Sequence, residues 1–142
     1  MIFSVLGLAS CRTHTLEDGT YQFTLKDVLR DDCGLAPTGA LMSTGVLVTT
    51  GNQVKIKYGY LGLQMFGIYQ VNVEQMVLDA TAVNVTTAVR GNQCLLDSVS
   101  LHIDTENQTA RSFSGTMSFY LDARADPCVC RVWVTYEAQK VP

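Results

Sequence analysis

The chain has little of what most enzymes or nucleic-acid binders need. It holds two histidines, His14 and His102. It has no G-x-S-x-G elbow, HExxH pair, phosphate-binding loop or dinucleotide fingerprint, so the common hydrolytic and nucleotide chemistries lack sequence support. Lys and Arg total 10 against 13 Asp and Glu, for a net charge of −3 with the signs interspersed. Without a basic run there is no electrostatic footprint for nucleic acid. No stretch approaches the roughly 18 consecutive apolar residues of a membrane-crossing helix. Tandem repeats, low-complexity segments and internal linkers are missing, and almost nowhere does the pattern follow the helical period.

What is present is alternation. A length of 142 residues suits one domain with a real core. Tyr21, Phe23 and Leu25 alternate with Gln22, Thr24 and Lys26 in a first strand that ends near Asp31-Asp32-Cys33-Gly34. Gly45 to Thr50 and Val54 to Tyr58 flank Thr50-Gly51-Asn52-Gln53, whose composition suits a hairpin turn. In the second of these strands Val54, Ile56 and Tyr58 share a core face, and Lys55 and Lys57 share the solvated one. Glycines mixed with large apolar residues over Gly59 to Gly67 imply a bend and a curved sheet. A fourth strand is expected over Leu63 to Val73, with a helical turn in Val73 to Leu78 left open. A fifth spans Thr81 to Val89, where Val83, Val85 and Val89 alternate with Ala82, Asn84 and Ala88.

The clearest signal follows. Val99, Leu101 and Ile103 oppose Ser98, Ser100, His102 and Asp104; after a polar turn at Thr105 to Ala110, Phe113, Met117, Phe119 and Leu121 oppose Ser114, Thr116, Ser118 and Tyr120. Finally Cys130, Val132, Val134 and Tyr136 alternate with Arg131, Trp133, Thr135 and Glu137. About eight short strands in hairpin order predict an all-β domain, an antiparallel up-and-down barrel, with a β-sandwich as the alternative. The barrel looks like the lipocalin or calycin-like type in strand count and order, an analogy at the level of fold. A membrane-spanning barrel is opposed by polar outward faces carrying Gln22, Lys26, Lys55, Lys57, Ser98, Ser100 and His102.

Near the start stand Leu8-Ala9-Ser10-Cys11. They resemble the lipobox of bacterial lipoproteins, a resemblance confined to the first eleven residues. It implies that Cys11 carries a diacylglycerol, that residues 1–10 are the remnant of a signal peptide, and that 11–19 form a short polar tether before a barrel domain over 20–142. Read without the resemblance, the apolar run Met1 to Leu8 also suits a first buried strand.

If Cys11 is lipidated, Cys33, Cys94, Cys128 and Cys130 remain, an even number suited to disulfides in an oxidising compartment. The spacing of Cys128 and Cys130 is too short for a usual zinc pair, and no metal or cofactor is expected. In an eight-stranded meander all four cysteines fall at one end, and closure brings the first strand beside the last. Cys33 should therefore bond to Cys128 or Cys130, and Cys94 to the other, since a bond between the close pair is strained.

Cys11 lies at the opposite end from these staples. The stapled rim then points away from the membrane and carries Asp31, Asp32, Arg90, Asp122, Arg124 and Asp126, candidate binding residues on loops of a rigid scaffold. The expectation is a non-enzymatic lipoprotein of the cell envelope, outer membrane in particular, anchored to the bilayer by its acyl chain. Its domain would bind a small apolar ligand or another envelope protein. Two alternatives differ in class: a structural or adhesion module without a ligand pocket, and a hydrolase working through Asp31, Asp32, Asp122 and Asp126.

Overall fold

The computed structural model describes residues 16–70 and 75–142. Strands β1 (Gly19–Asp31), β2 (Thr44–Thr50), β3 (Gln53–Tyr58), β4 (Gln64–Gln70), β5 (Gln75–Val89), β6 (Asn92–Gln108), β7 (Ser112–Asp122) and β8 (Cys130–Lys140) follow one another round a closed antiparallel barrel. β1 closes the circle by pairing with both β2 and β8. The barrel is the up-and-down meander expected from the alternation, and the sandwich is set aside. β5 starts at Gln75 as extended chain. The last part of the expected fourth strand, like Cys11 and the whole lipobox, lies outside the described residues.

Because each strand reverses its predecessor, the chain sorts its connections between two mouths. The β2–β3 and β6–β7 turns, Leu16 and the end of β8 share one mouth, where the Glu17 amide donates to the Ala110 carbonyl (2.8 Å) and the Val141 amide to the Thr20 carbonyl (2.9 Å). Residues 16–18, expected as the end of a tether, are packed onto the barrel. Leu16 is 3% exposed, the Glu17 carboxylate accepts from Lys140 Nζ at 3.0 Å and Arg111 at 3.3 Å, and Asp18 accepts from the Thr49 amide and hydroxyl.

Among the described residues the inward face is apolar but for Thr105, whose hydroxyl is satisfied by the Met76 backbone. Phe23 packs on Tyr58, Phe113 and Tyr136 with ring centroids 5.1, 5.8 and 5.6 Å apart, distances at which aromatic pairs add stability beyond their area. Buried phenols find partners: Tyr21 donates to the Glu17 carbonyl (2.6 Å) and Tyr58 to the Leu41 carbonyl. Tyr21, Phe23, Tyr58, Met65, Met76, Leu78, Leu96, Val99, Ile103, Met117, Leu121 and Val134 are each 0% exposed. They therefore border no space large enough for a water molecule, and among the described residues the lumen is filled by side chains.

Curvature comes from glycine and from bulges. A β-carbon on Gly67 would lie 1.9 Å from the Val77 carbonyl oxygen, and one on Gly115 1.9 Å from that of Asp104, so strands approach each other there as no other residue allows. β1 gains a residue relative to β8 twice, between Leu25 and Val28 and between Val28 and Arg30. The Asp27 amide released by the first bulge donates to Thr135 Oγ1 at 2.8 Å. The two bulges re-aim the end of the strand: Arg30 stands opposite Trp133 on the outer wall.

One face assignment is corrected. Val83 points outward, 62% exposed, whereas Val89 is buried. Asn84 takes a left-handed φ of 54°, and at that level both strands change phase. Before it Met76, Leu78 and Ala80 are buried on β5; on β6 Cys94 and Leu96 are buried, then Val99, Leu101 and Ile103. Pairing persists through the change, Val83 with Ser98 and Val85 with Leu96, so each strand carries one extra residue at the same height.

Candidate functional site

The stapled mouth holds both disulfides. Cys33–Cys130 joins the end of β1 to the start of β8 across a sequence separation of 97, and Cys94–Cys128 joins β6 to the β7–β8 loop across 34. Cys130 faces inward at the first position of β8, on the face shared by Val132 and Val134, and β1 ends beside it. The mouth is covered by the β1–β2 loop, which buries Leu35 and Leu41.

The structure brings several expected rim residues together, chiefly to hold loops. Asp31 accepts backbone amides of Leu35 (3.0 Å) and Ala36 (2.9 Å), and Asp32 accepts from Arg30 at 2.7 Å. Arg90, in a left-handed turn of φ 51°, donates its amide to the Cys33 carbonyl at 2.8 Å and its guanidinium to the carbonyls of Asp32 and Pro127. It thus clamps three connections between the two disulfides. Asp122 is half-buried, and Arg124 and Asp126 are exposed.

A different surface has the shape of a site. On the outer wall of β5 to β8, reaching to the end of β1, lies a groove of about 530 Å³. Its lining follows from the register. One cross-strand row runs Arg30, Trp133, Ser118, His102, Asp79. The next runs Arg131, Tyr120, Ser100, Thr81. The small residues Ser118 in the first row and Ser100 and Thr81 in the second form a trough across the grid. On one side stand Trp133, Tyr120 and Arg131, on the other His102 and Asp79. Trp133 is 50% exposed, and the Arg131 guanidinium sits over the Tyr120 ring, 4.5 Å from its centroid.

His102 is held at both ring nitrogens. Nδ1 is 2.6 Å from Asp79 Oδ1 and Nε2 3.3 Å from Asp104 Oδ1. The hydrogen bond to Asp79 raises its pKa above the ordinary value, partial burial opposes the rise, and the charge of Asp104 adds to it. An imidazole whose two nitrogens both face carboxylates is favoured as a cation with two donors and has no free lone pair. It is therefore poorly placed to take a proton from Ser118, its cross-strand neighbour.

The sequence placed His102, Ser100, Ser118, Tyr120 and Trp133 on polar faces but did not assemble them. The signal was there in β8: a single tryptophan on the solvated side of a strand whose core side is Cys130, Val132, Val134 and Tyr136. What was missing was the lateral register, which sets Trp133 beside Ser118 and His102 beside Asp79.

The fold defines the class: a closed eight-stranded antiparallel barrel with two disulfides at one mouth. No protein-family model, curated protein or solved structure matches this chain.

Proposed function

We propose that this chain is a non-enzymatic binding module of the cell envelope, anchored through a diacylglycerol on Cys11, that meets its ligand on the outer wall of the barrel and not in a lumen. The observation that carries this is the filled interior beside an open, polar and aromatic groove on the wall. A small apolar ligand would need inward space, and among the described residues the inward side chains leave little of it. Two disulfides suit an oxidising compartment outside the cytoplasm. Transmembrane barrels present an apolar band outward and a polar interior; here the interior is apolar and the wall carries Lys55, Lys57, Ser100, Arg131 and Glu137, which suits a domain held beside a membrane. The hydrolase reading is disfavoured because Asp31 and Asp32 already serve backbone amides and Arg30.

The anchoring part is tested by metabolic labelling with a fatty acid. The full chain should incorporate label and sediment with membranes, and Cys11→Ala should do neither. Label that persists in Cys11→Ala would refute the anchor. The wall part is tested by binding measurements on variants of the groove, where Ser118→Leu or Trp133→Ala should weaken recognition at least about tenfold and substitutions at Arg124 or Asp126 should leave it intact.

A further inference from the structure

We infer that the outer-wall groove is a saccharide site, which takes a short uncharged oligosaccharide along the Ser118, Ser100, Thr81 trough with one sugar ring stacked on Trp133. The inference rests on the reading of the chain as a wall-binding module and names the ligand class.

The aromatic side of the groove selects a ligand with an apolar face. Trp133 leaves half of its surface in water, on a strand whose other outward neighbour in the groove, Arg131, is already stacked on Tyr120. An aromatic face is electron-rich and attracts polarised C–H groups, and a pyranose ring offers a patch of them. The rim of that same ring is made of hydroxyls.

The polar side selects those hydroxyls. Ser118, Ser100 and Thr81 each donate and accept, Arg30 and Arg131 only donate, and the Asp79 carboxylate only accepts. A ligand whose every polar group does both can satisfy such a mixed set. A charged ligand gains less, because the charges here are already balanced locally: Arg30 against Asp32, and His102 against Asp79 and Asp104. An anion meets the two carboxylates beside His102, and a cation meets Arg131.

Two further observations narrow the choice. A peptide strand cannot add to this wall, since β5, β6, β7 and β8 are each paired on both sides in the closed barrel, and strand addition needs a free edge. The lining side chains also stand on strands and several are already fixed, Arg131 on Tyr120 and His102 between two carboxylates, so little ordering remains to be done on binding. A volume of about 530 Å³ falls within the range of about 300 to 1,000 Å³ usual for small-ligand sites.

Trp133 is the single tryptophan of the sequence, so its fluorescence reports on the groove alone. The full oxidised chain is titrated with cellotriose, maltotriose and chitotriose, and separately with inorganic phosphate, hexaglutamate and dodecanoate. At least one trisaccharide should shift Trp133 emission to the blue and saturate. Ser118→Leu, which plugs the trough and keeps the tryptophan, should weaken that binding roughly tenfold or more, the usual effect of spoiling a central contact. Trp133→Ala should remove it by calorimetry while circular dichroism stays unchanged. Failure of all three trisaccharides, or binding that Ser118→Leu leaves untouched, overturns the saccharide site. Hexaglutamate or phosphate bound in their place, and lost in Ser118→Leu, overturns the ligand class but leaves wall binding standing. Dodecanoate bound while Trp133 emission stays still overturns the wall reading itself.

Discussion

Cys33 and Cys130 bond across the seam at which the barrel closes, joining the turn that follows β1 to the first residue of β8 over a sequence separation of 97. The second bond, Cys94 to Cys128, spans 34 and fastens the β7–β8 loop to the start of β6. Both lie at one mouth, so the barrel is stapled at one end and held at the other by backbone and ion-pair contacts around Glu17.

The two staples should differ in worth. On the chain-entropy account the seam bond, with its separation of 97, stabilises by about 5 kcal/mol and the other, with 34, by about 4 kcal/mol. The threefold difference in separation makes the seam bond the stronger by about 1 kcal/mol, since the entropy grows as 1.5R ln n. Cys33→Ala with Cys130→Ala should therefore lower stability more than Cys94→Ala with Cys128→Ala, read as the difference in urea midpoints at equal slope. Equal or inverted losses would show that native-state packing outweighs loop closure. Hydrogen exchange after full reduction should lose protection first near Arg90 and the β1–β2 loop, and later at the Thr50 to Gln53 turn.

Asp79 should set the titration of His102. Its hydrogen bond favours the imidazolium, so the folded pKa lies above the unfolded value of about 6.5. The stability linked to this pair is then fully present below that unfolded value and is lost as pH rises through the folded one. Both side chains are substantially exposed, 45% and 69%, which holds the contribution to about 0 to 1 kcal/mol. Asp79→Asn should bring the His102 pKa down, measured from the ring resonances by NMR. The stability gap between the two proteins should be visible in mildly acid solution, close as the solution turns alkaline, and shrink with added salt. A His102 that titrates unchanged in Asp79→Asn would place the controlling charge at Asp104.

Much of the barrel was legible because one face of each strand is buried. With a period of two, a buried face leaves only one phase available to Val99, Leu101 and Ile103, to Phe113 through Leu121, and to Val132 through Tyr136. Meander parity then placed four cysteines at one mouth. It could not choose between Cys128 and Cys130 for Cys33, because that depends on which of two residues near the start of β8 faces the end of β1 after two bulges. β5 was misphased for a related reason. A left-handed residue inside a strand resets the alternation, and Asn84 is tolerated there without any apolar signature. The groove was illegible on other grounds. Trp133, Ser118, His102 and Asp79 are far apart in sequence, and each alone reads as an ordinary outward residue.

The phase change at Asn84 gives a test by substitution. Asparagine reaches φ 54° at modest cost because its short polar side chain tolerates the left-handed region, whereas a β-branched residue does not. Asn84→Gly should be close to neutral. Asn84→Val should cost about 1 to 2 kcal/mol in urea unfolding, although valine is the better strand former and the position is exposed. Stabilisation by Asn84→Val would mean that the strand can run through this level without the extra residue, and the matched phase change in β6 would lose its explanation.

Glycine supplies the last test, because two glycines that look alike in sequence do different things. Gly51 has a left-handed φ of 61° in the β2–β3 turn, with open space where a β-carbon would go. Its replacement by alanine should cost only the conformational term, about 1 to 2 kcal/mol. At Gly67 an added β-carbon would lie 1.9 Å from the Val77 carbonyl oxygen and 2.8 Å from its carbonyl carbon. Both are backbone atoms of the paired strand, so no side chain can swing aside. Gly67→Ala must push β4 and β5 apart where the barrel bends, and a forced overlap of this kind costs typically about 1 to 3 kcal/mol, sometimes more. The same argument applies to Gly115 against Asp104 across β6 and β7. Thermal unfolding should rank Gly67→Ala and Gly115→Ala below Gly51→Ala. Gly115→Ala should in addition disturb the β6–β7 pairing that sets His102 beside Ser118, a change readable in the Trp133 emission because Trp133 is the other cross-strand neighbour of Ser118. If Gly67→Ala and Gly115→Ala melt with the native chain, the close strand approach at these two positions is not what bends the barrel.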